Sequence, residues 1–511
     1  MKKASNFSKI VAVLLIGAIS IMFLTVSCDN AAKQVNTDNI SDNGENNGAN
    51  NNSGDGSAGE ERIDADDMPF PHEAMDFGGS TFKILIDQED INLLDVDDID
   101  VEGMNGEVLN DAYYTRKTLV EDTYNVKLEG VHVNNFQISD FVEKSVRSGL
   151  DEYDAYVPRL MNAGLYAAKG YGVNLLDTNL AIDAPWWDKN IIRDTSVNNA
   201  AYIIAGDIFI KHYDGISMLM FNKKLLMDLG LENPYNLVQN NQWTISKFNE
   251  MIKGVALDLD GNGKMDRYDR YGFATQGDCV SSFINACGEK FVTKDKNDLP
   301  VFCGNSEKMS NIIDRMLDIY SDDIYCMHRD GFGKEGGGDL IQFWVFPEGR
   351  ALFYYAYSRY INLGLRNMED DFGILPLPKW DSSQSEYYSN VNYWHSYTYM
   401  IPITVTDVER SAYIIDAMAY HGRKIIKPAY YDVCLQRKYT RDEESSEMLD
   451  IIFASTVYDL GIVYDIGGYY NTIQTDVFSN HANNMMSQYD KLSNKIEKSM
   501  NDLIDEFKAH R

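Results

Sequence analysis

Apolar and polar residues follow two different periods along most of the chain. Short apolar runs of strand length occur at 81–86, 124–128 and 153–157. Between them, apolar residues recur at three-to-four spacing and predict helices at about 108–122, 136–148 and 163–169. Strands that alternate with helices are typical of α/β folds with a parallel sheet. The pattern therefore predicts an ordered α/β body that begins near residue 78.

The second half of the chain carries a strongly amphipathic helix. Its apolar positions follow helical spacing, at Ile245, Phe248, Met251, Ile252, Val255 and Ala256. This helix leads directly into an acidic loop, after which 271–274 is a predicted strand. From Asp407 onward the pattern is helical, with breaks predicted at Gly422 and Gly461 and a last helix from about Met485.

The first 28 residues have the pattern of an export signal. Lys2, Lys3 and Lys9 precede an almost unbroken apolar run at 10–26, which ends at Ser27 and Cys28. A small residue before a cysteine after an apolar core resembles the lipobox of bacterial lipoproteins, although leucine lies one place further upstream than usual. That resemblance implies cleavage before Cys28 and lipidation of Cys28. The alternative, an uncleaved membrane anchor, requires a longer apolar stretch and no such small-residue exit.

Residues 29–77 precede the predicted folded body. The part up to about 68 is rich in Asn, Gly, Ser and Asp and offers no apolar surface to bury. Such a composition predicts a disordered tether. With a lipidated Cys28, the tether would hold the body outside the cytoplasm, at the bacterial cell surface or in the periplasm, anchored to the membrane.

The composition narrows the classes of function. The chain has 511 residues, 44% of them hydrophobic, which is enough for a large globular body. Its formal net charge of -32 argues against nucleic acid as a partner, because nucleic-acid binding relies on neutralising phosphates. The chain has six cysteines, which form no C-x-x-C pair: Cys28, Cys279, Cys287, Cys303, Cys326 and Cys434. Buried free thiols are therefore expected, with a disulfide between Cys279 and Cys287 as an alternative.

The acidic loop at 258–269 has the ligand order of an EF-hand calcium loop. Oxygen-bearing side chains occupy loop positions 1, 3, 5, 9 and 12, glycine occupies position 6, and position 7 offers its carbonyl. We therefore predict a structural Ca²⁺ site formed by Asp258, Asp260, Asn262, Lys264, Asp266 and Asp269. Asp269 stands where the pattern prefers a bidentate glutamate, which predicts weaker binding. An acidic surface turn that binds nothing is the alternative.

Several short segments together are similar to a known family. They are LNDAYYTR (109–116), EDTYNVK (121–127), DEYDA (151–155), PWWD (185–188), MFNKKL (220–225), WTISKF (243–248) and FGILPLP (372–378). In this order and spacing they resemble the extracellular solute-binding proteins of bacterial ABC importers, in the sugar-binding group that includes maltodextrin-binding proteins. The resemblance covers roughly residues 78–470.

This resemblance implies a two-lobed periplasmic-binding-protein-like fold of type II, with lobes joined by crossing hinge segments. The expected lobes are 78–213 plus 352–405, and 214–351 plus 406–511. It also implies a monomer that closes around a small-molecule solute and is recognised by an ABC transporter permease.

The expected ligand is a mono- or oligosaccharide. Sugars have flat apolar faces ringed by hydroxyls, so their sites combine aromatic rings with polar side chains. In the resembled family the site is a cleft between lobes, built from strand ends and hinge segments. The candidates that this implies are Arg159, Asn162, Tyr213, Asp214, Tyr355, Tyr357, Trp394 and Tyr397. For each of these eight residues a packing role is the alternative. Packing is favoured for Trp186, Trp187 and Trp243.

The sequence offers little support for an enzyme. Its eight histidines form no His-x-x-x-His or His-x-His pair, and no Gly-x-Ser-x-Gly elbow occurs. We therefore predict a binding protein without catalytic residues. A secreted calcium-dependent glycan-degrading enzyme is the alternative from another class, since no pair of carboxylates can be singled out or excluded. A calcium-braced adhesion module is a third interpretation.

Overall fold

Two β-sheets organise the chain in the computed structural model, which describes residues 68–88, 99–328, 345–365, 368–435 and 443–510. The predicted signal peptide, Cys28 and residues 29–67 of the predicted tether lie outside the described residues. Within the described residues, no helix is both long enough and apolar enough to cross a membrane.

The strands of the described residues are given in chain order. They are β1 (Ser80–Gln88), β2 (Val126–Asn134), β3 (Ala155–Val157), β4 (Ser217–Asn222), β5 (Tyr271–Thr275), β6 (Val292–Lys294), β7 (Pro300–Phe302), β8 (Cys326–His328), β9 (Ala351–Tyr357), β10 (Phe372–Leu375), β11 (Ser389–Asn390) and β12 (Thr456–Val457).

The α-helices of the described residues connect and cover these strands. They are α1 (Val108–Tyr124), α2 (Ile138–Ser148), α3 (Leu160–Ala168), α4 (Lys189–Thr195), α5 (Lys223–Asp228), α6 (Pro234–Gln239), α7 (Ile245–Lys253), α8 (Cys279–Ala286), α9 (Glu307–Tyr320), α10 (Arg359–Leu363), α11 (Val408–Leu435), α12 (Glu443–Ala454), α13 (Leu460–Val463), α14 (Tyr469–Thr472) and α15 (Met485–Ala509).

The first sheet is parallel, with the strand order β2-β1-β3. Its central strand β1 buries Phe82, Ile84, Leu85 and Ile86, the apolar run that predicted it. Parallel strands of this kind are usually covered on both faces, which explains why the run is continuous and not alternating. The predicted parallel α/β arrangement is confirmed for this sheet.

The second sheet is mixed, with the strand order β10-β4-β9-β5-β8. Strand β4 is antiparallel to both β9 and β10, whereas β5 is parallel to β8 and β9. The parallel arrangement predicted from the first part of the chain therefore does not extend to this sheet. Periodicity shows that a segment is a strand, but it carries no information about the direction of its neighbour.

The pairing of the strands differs from the predicted lobe boundaries. Strands β9 and β10 lie in the same sheet as β4 and β5, although the resemblance implied that 352–405 belongs to the first lobe. Helix α11 packs against α1 beside the first sheet, although 406–511 was placed with the second lobe. The points where a chain crosses between two sheets depend on contacts distant in sequence, which local patterns do not report.

Residues 389–402 connect the surroundings of the two sheets. At one end, β11 pairs with β12, and Val391 pairs with Ile216 just before β4. At the other end, Tyr399 pairs with Ile204, and Met400 pairs with Tyr156 of β3. We call residues 392–397, which lie between these two sets of pairings, the bridging segment.

Helix α7 forms where its amphipathic pattern predicts it, but it ends at Lys253, before the predicted positions Val255 and Ala256. Thr244 caps its start, where the side-chain oxygen accepts a hydrogen bond from the backbone nitrogen of Lys247 at 3.3 Å. Phe248 and Ile252 are buried on the inner face. Strand β5 approaches this helix closely, since a Cβ atom on Gly272 would lie 2.1 Å from the carbonyl oxygen of Ile252.

Helix α11 corrects the prediction of a break at Gly422, because it runs through that residue without interruption. A Cβ atom on Gly422 would lie 1.8 Å from the carbonyl oxygen of Asp207, so this glycine permits close packing and does not end the helix. The break predicted at Gly461 lies earlier, between α12 and α13, and Gly461 is inside α13.

Four cysteines in the described part of the chain are free thiols: Cys279, Cys287, Cys303 and Cys326. Three of them are buried, and Cys303 is half-buried. The Cys279–Cys287 disulfide, which the sequence left undecided, is therefore not formed. The expectation of free thiols is confirmed for these four residues. The side chain of Cys434 lies outside the described residues.

Candidate functional site

The ends of the parallel strands β1 and β3 place a buried ion pair at one edge of the first sheet. Asp87 is the penultimate residue of β1, and Arg159 follows β3 by two residues. The Nε atom of Arg159 lies 3.2 Å from Oδ2 of Asp87, and the side chains are 2% and 0% exposed, respectively. Asn162 Nδ2 donates to the same carboxylate oxygen at 3.4 Å. Two of the predicted ligand residues, Arg159 and Asn162, thus share a partner that the sequence analysis did not find.

Trp394 covers the guanidinium of Arg159. The Cζ atom of Arg159 lies 4.5 Å from the centre of the Trp394 ring, a cation–π arrangement. Backbone hydrogen bonds hold the bridging segment against the start of α3, from Leu160 N to the carbonyl of Ser396 (2.8 Å) and from Met161 N to that of Tyr393 (3.0 Å). Trp394 is nevertheless 36% exposed, so part of its ring can meet a ligand.

The ion pair keeps hydrogen-bonding capacity. Burial raises the pKa of Asp87, and the adjacent Arg159 acts in the opposite direction. The second oxygen of Asp87, Oδ1, and Nη1 of Arg159 have no hydrogen-bond partner among the described residues. Both atoms are buried, so they can pair with a ligand hydroxyl, which is itself both donor and acceptor, only when a ligand displaces the groups that cover them.

A second polar group lies at the ends of β5 and β9 in the second sheet. The Tyr357 hydroxyl donates to Oδ2 of Asp278, and Asn392 Nδ2 donates to the Tyr357 hydroxyl at 2.7 Å. Tyr355 lies behind this group, buried, with its hydroxyl 2.7 Å from Ser282 Oγ. Burial, followed by the nearby Asp278 carboxylate, raises the pKa of both tyrosines well above the usual value, so both hydroxyls stay protonated and can donate.

The bridging segment brings the two polar groups to one place. Within it, Trp394 contacts Arg159, and the next residue, His395, lies 5.4 Å from Tyr357, measured between ring centres. His395 Nδ1 is also 2.6 Å from Nη1 of Arg359, just after β9. Aromatic rings and paired polar side chains from both sheets thus line one region, which we call the candidate cleft.

The remaining predicted residues lie around or away from the candidate cleft. Tyr397 is buried, pairs with Arg159 through the backbone, and has the Lys211 ammonium 5.3 Å from its ring centre. The carbonyl of Asp214 accepts a hydrogen bond from Arg359 N at 3.3 Å, which places Asp214 beside the candidate cleft. Tyr213 turns into a different cavity, where its hydroxyl donates to Oδ1 of Asp207 at 2.5 Å.

Several side chains of the candidate cleft were missed by the sequence analysis: Asp87, Asp278, Arg359, Asn392 and His395. A usable signal existed for three of them, because Asp87, Asp278 and Arg359 each closely follow an apolar strand run, as Arg159 does. Asn392 and His395 carry no such signal, since they lie in an irregular segment whose position depends on both sheets.

The three tryptophans assigned to packing are buried, as predicted. Trp243 donates from Nε1 to the carbonyl of Pro376 at 2.9 Å. Trp186 and Trp187 donate from Nε1 to the same oxygen of Asp416, at 2.5 and 2.9 Å. These contacts satisfy the polar end of each ring inside the protein.

The acidic loop between α7 and β5 is closed at its base. Leu257 and Arg270 exchange two backbone hydrogen bonds, of 3.0 and 3.1 Å. Oxygens of Asp258, Asp260 and Asp269 lie within 4.8 Å of one another. Several carboxylates within one short loop are the donor set that a hard cation such as Ca²⁺ requires, so these residues fit the predicted metal.

The other predicted calcium ligands lie along the same loop but outside this group of three. Asn262 Oδ1 accepts from Lys264 N at 2.8 Å, and Asp266 Oδ1 accepts from Tyr268 N at 2.8 Å. Backbone nitrogens of Gly261 and Gly263 donate to the carboxylate of Asp258, both at 2.7 Å. The hydrogen bond from Gly263 is the main reason that the pKa of Asp258 is lowered, so it remains a carboxylate.

The acidic loop and the candidate cleft lie at opposite ends of β5. The loop immediately precedes Tyr271, whereas Asp278 of the candidate cleft follows Thr275. A five-residue strand spans about 17 Å. A cation in the loop would therefore brace the second sheet without contacting a ligand in the candidate cleft.

Comparison with known proteins supports the fold. No protein-family model matches the chain, and no curated protein matches it by sequence. Among solved structures, an ABC substrate-binding protein from Listeria monocytogenes in complex with cycloalternan aligns with a TM-score of 0.51, 11% identity and coverage of 83% of this chain and 98% of that one. The GacH receptor of Streptomyces glaucescens, solved unliganded and with acarbose, aligns with a TM-score of 0.50 and 11% identity. The alignment covers 84% of this chain and 98% of that one.

A sugar transporter from Rhizobium etli in an open conformation gives a TM-score of 0.52 at 13% identity, with 84% of this chain and 99% of that one covered. These neighbours carry names of binding and transport proteins and not of enzymes. The predicted fold class is confirmed: the chain has the α/β periplasmic-binding-protein fold of ABC sugar-binding proteins.

Proposed function

We propose that this protein is an extracytoplasmic solute-binding protein that captures a carbohydrate in the candidate cleft and delivers it to an ABC permease. One observation carries the proposal: the bridging segment joins Trp394, above the Arg159–Asp87 pair, to Tyr357 and Asp278 of the other sheet. A partly exposed ring beside polar side chains from two sheets suits a ligand with flat apolar faces and many hydroxyls.

The structural neighbours support the same ligand class. The proteins from Listeria monocytogenes and Streptomyces glaucescens were solved with cycloalternan and with acarbose. By this proposal, the present chain takes a mono- or oligosaccharide. Closure of the two sheets around the ligand would shift the open–closed equilibrium, and the permease would read the closed form.

The proposal includes attachment to the membrane and a monomeric state. Lipidation of Cys28 would anchor the protein, and the chain from residue 29 up to the packed segment 68–77 would act as the tether to the folded body. A single lipid chain gives only marginal membrane binding, so stable attachment requires more than one acyl chain on or near this cysteine. Mass spectrometry of protein from a bacterial membrane fraction tests the modification directly, since an unmodified Cys28 would contradict it.

A glycan-degrading enzyme is the competing function, because the candidate cleft contains the carboxylates Asp87 and Asp278. One experiment separates the two. A thermal-shift screen against mono- and oligosaccharides, with and without EDTA, is expected to yield a stabilising ligand that remains chemically unchanged. Reducing ends that accumulate during incubation with that ligand would establish the enzyme instead. A protein that no saccharide stabilises would favour the adhesion module.

Replacement of Trp394 by alanine tests the candidate cleft. We expect about 10- to 100-fold weaker binding of the saccharide identified by the screen, because truncating an aromatic anchor costs about 1.4–2.7 kcal/mol. Calorimetric titration measures this loss. Tyr268→Ala is the matched control, since it removes a ring that is 55% exposed on the acidic loop. Equal affinities for the two variants would place the ligand elsewhere.

We further propose that the acidic loop binds a structural Ca²⁺ through Asp258, Asp260, Asn262, Lys264, Asp266 and Asp269. The proposal rests on the cluster of three carboxylates in a loop whose base is closed by two backbone hydrogen bonds between Leu257 and Arg270. Extracellular calcium modules bind at roughly 0.1–1 mM, which suits a loop that lacks the bidentate glutamate.

Asp260→Ala tests this calcium site. At about 5 mM calcium, a site of that affinity stabilises by about 1–2 kcal/mol, which raises the Tm of a chain of this size by about 1–3 °C. The variant is expected to lose most of this increase and to keep its saccharide affinity. Glu250→Ala, an exposed acid on α7, is the matched control. If the Asp260→Ala variant kept the calcium-dependent increase in Tm, or if it lost its affinity for the saccharide, the proposal of a purely structural calcium site would be contradicted.

A further inference from the structure

A second cavity lies outside the candidate cleft, beside the segment that leads into β4. It has a volume of about 550 Å³, within the range of small-molecule sites. Its walls come from the start of α4, residues 207–216, one face of α11 and the end of α12, with Thr456 of β12. Asp87, Arg159, Trp394 and Tyr357 do not line it. This cavity is therefore separate from the proposed carbohydrate site.

Aromatic rings in fixed orientations form part of its wall. Tyr213 stacks on Tyr430, with ring centres 5.6 Å apart and an interplanar angle of 14°. Phe453 lies 4.7 Å from Tyr213 and 5.7 Å from Tyr431. Phe453 is only half-buried, and it lines the cavity together with Trp187. Rigid ring faces of this kind receive the flat apolar face of a ligand with little loss of side-chain entropy.

Polar groups in the wall are also held in place. Asp207 is buried, accepts from the Tyr213 hydroxyl at 2.5 Å, and accepts from Arg423 Nη1 at 3.2 Å. Burial lowers the pKa of His212 to about 4, so its ring is neutral at pH 7. Nδ1 of His212 lies 3.0 Å from the carbonyl of Phe209 and donates to it, which leaves Nε2 as an acceptor.

The charges that line this cavity balance. The acidic side chains are Asp188, Asp207 and Asp450, and the basic ones are Lys189, Arg423 and Lys427. Most of them lie within reach of a partner, for example Asp450 with Tyr431 (3.0 Å) and Asp188 with Thr456 (2.8 Å). A strongly charged ligand would gain nothing from this balance, whereas a neutral ligand with several hydroxyls can use donors and acceptors on every side.

We propose that this cavity is a second binding site, for a neutral polyhydroxylated molecule the size of one or two sugar rings. The half-buried Phe453 and Tyr431 supply the ring faces, and Asp207, His212, Arg423 and Lys427 supply the polar contacts. The proposal does not depend on the identity of the ligand in the candidate cleft.

The test uses four monosaccharide probes: D-glucose, D-galactose, D-mannose and D-xylose. The folded protein carries Trp394→Ala, which weakens binding in the candidate cleft, and the variants Phe453→Ala and Ala454→Trp report how much of the remaining binding belongs to the second site. Binding is followed by ligand-observed NMR up to about 50 mM, since a ligand of this size is expected to bind with Kd in the millimolar range. We expect at least one probe to bind and its affinity to fall at least about ten-fold when Phe453→Ala is added.

Two further variants complete the test. Ala454→Trp places a large ring at the exposed edge of the cavity and is expected to block the probe without removing any core side chain. Tyr268→Ala, on the distant acidic loop, is expected to leave the probe unaffected. The proposal is overturned if no probe binds the Trp394→Ala protein, or if Phe453→Ala and Ala454→Trp leave binding unchanged. Neither of these results affects the proposal that Trp394 binds a saccharide in the candidate cleft. Failure of the second site can therefore be distinguished from failure of the proposed function.

Discussion

Arg159→Ala is expected to lower the free energy of unfolding by about 3–5 kcal/mol, because it leaves the Asp87 carboxylate buried without its cation. Urea unfolding at neutral pH, with the denaturant midpoint and slope measured together, gives this difference. The same variant is expected to lose saccharide binding, since Arg159 lies directly beneath the partly exposed ring of Trp394. A loss of less than about 1 kcal/mol would show that the pair is not desolvated.

The pH dependence of Arg159→Ala follows from the burial of Asp87. Burial raises the pKa of this carboxyl in the folded protein, and the removal of Arg159, which opposes that increase, raises the pKa further. A folded-state pKa above the unfolded value means that ionisation of Asp87 disfavours the folded state. The stability deficit of the variant is therefore present at neutral pH and shrinks as the pH falls through the folded-state pKa.

A double variant controls for the loss of packing. Arg159→Met with Asp87→Asn keeps side chains of similar size and removes both charges. It is expected to recover a large part of the stability lost in Arg159→Ala, because no buried charge is left unpaired. If the double variant is as unstable as the single one, the loss comes from packing against Trp394 and not from the buried charge.

Asp416→Ala is expected to lower the free energy of unfolding by about 3–6 kcal/mol. The Asp416 side chain is 0% exposed and accepts hydrogen bonds from Trp186 Nε1, Trp187 Nε1 and the backbone nitrogen of Ala181. Each buried donor left without an acceptor costs about 1–3 kcal/mol. Because both indoles lose their acceptor, the measurement combines urea unfolding with tryptophan fluorescence, whose emission is expected to shift to longer wavelength.

Two controls separate the role of Asp416 from a general effect of mutation. Asp416→Asn keeps one acceptor oxygen and the shape of the side chain, so it is expected to lose less stability than Asp416→Ala. Asp450→Ala removes an exposed carboxylate and is expected to stay within about 0.5 kcal/mol of the parent protein. An Asp416→Ala protein as stable as Asp450→Ala would contradict the assigned hydrogen bonds.

Asp416 also holds the start of the folded body. His72 Nε2 lies 2.6 Å from Oδ2 of Asp416, and the neighbouring Phe70 packs edge-on against Tyr413 of the same helix. Loss of the carboxylate is therefore expected to expose the segment around His72 to proteases before the rest of the chain unfolds. These contacts fasten residues 68–77 to α11, the point at which the predicted tether meets the body.

Local patterns determined most of the individual elements. The apolar run at 81–86 became the buried core of β1, and the three-to-four spacing from Ile245 to Ile252 became α7. These predictions hold because strand and helix periods are properties of a few consecutive residues. The same locality explains the error at Gly422, where the glycine serves a contact with Asp207 from a distant segment and does not end the helix.

The order of residues in the sequence also located part of the candidate cleft. Arg159 and Asn162 were selected because they follow a strand, and strand ends in α/β folds gather at one edge. The acidic loop was likewise recognised from the sequence alone, since its oxygen-bearing side chains lie within twelve consecutive positions and need no distant partner.

Only the tertiary structure decided how these pieces meet. It paired Arg159 with Asp87, directed Tyr213 away from the candidate cleft, and placed β9 beside β4 and not with the first sheet. It also made residues 392–397 the bridge between two polar groups. The physical reason is the same in each case: the energy of these arrangements comes from burial and pairing between residues far apart in sequence, which no local pattern records.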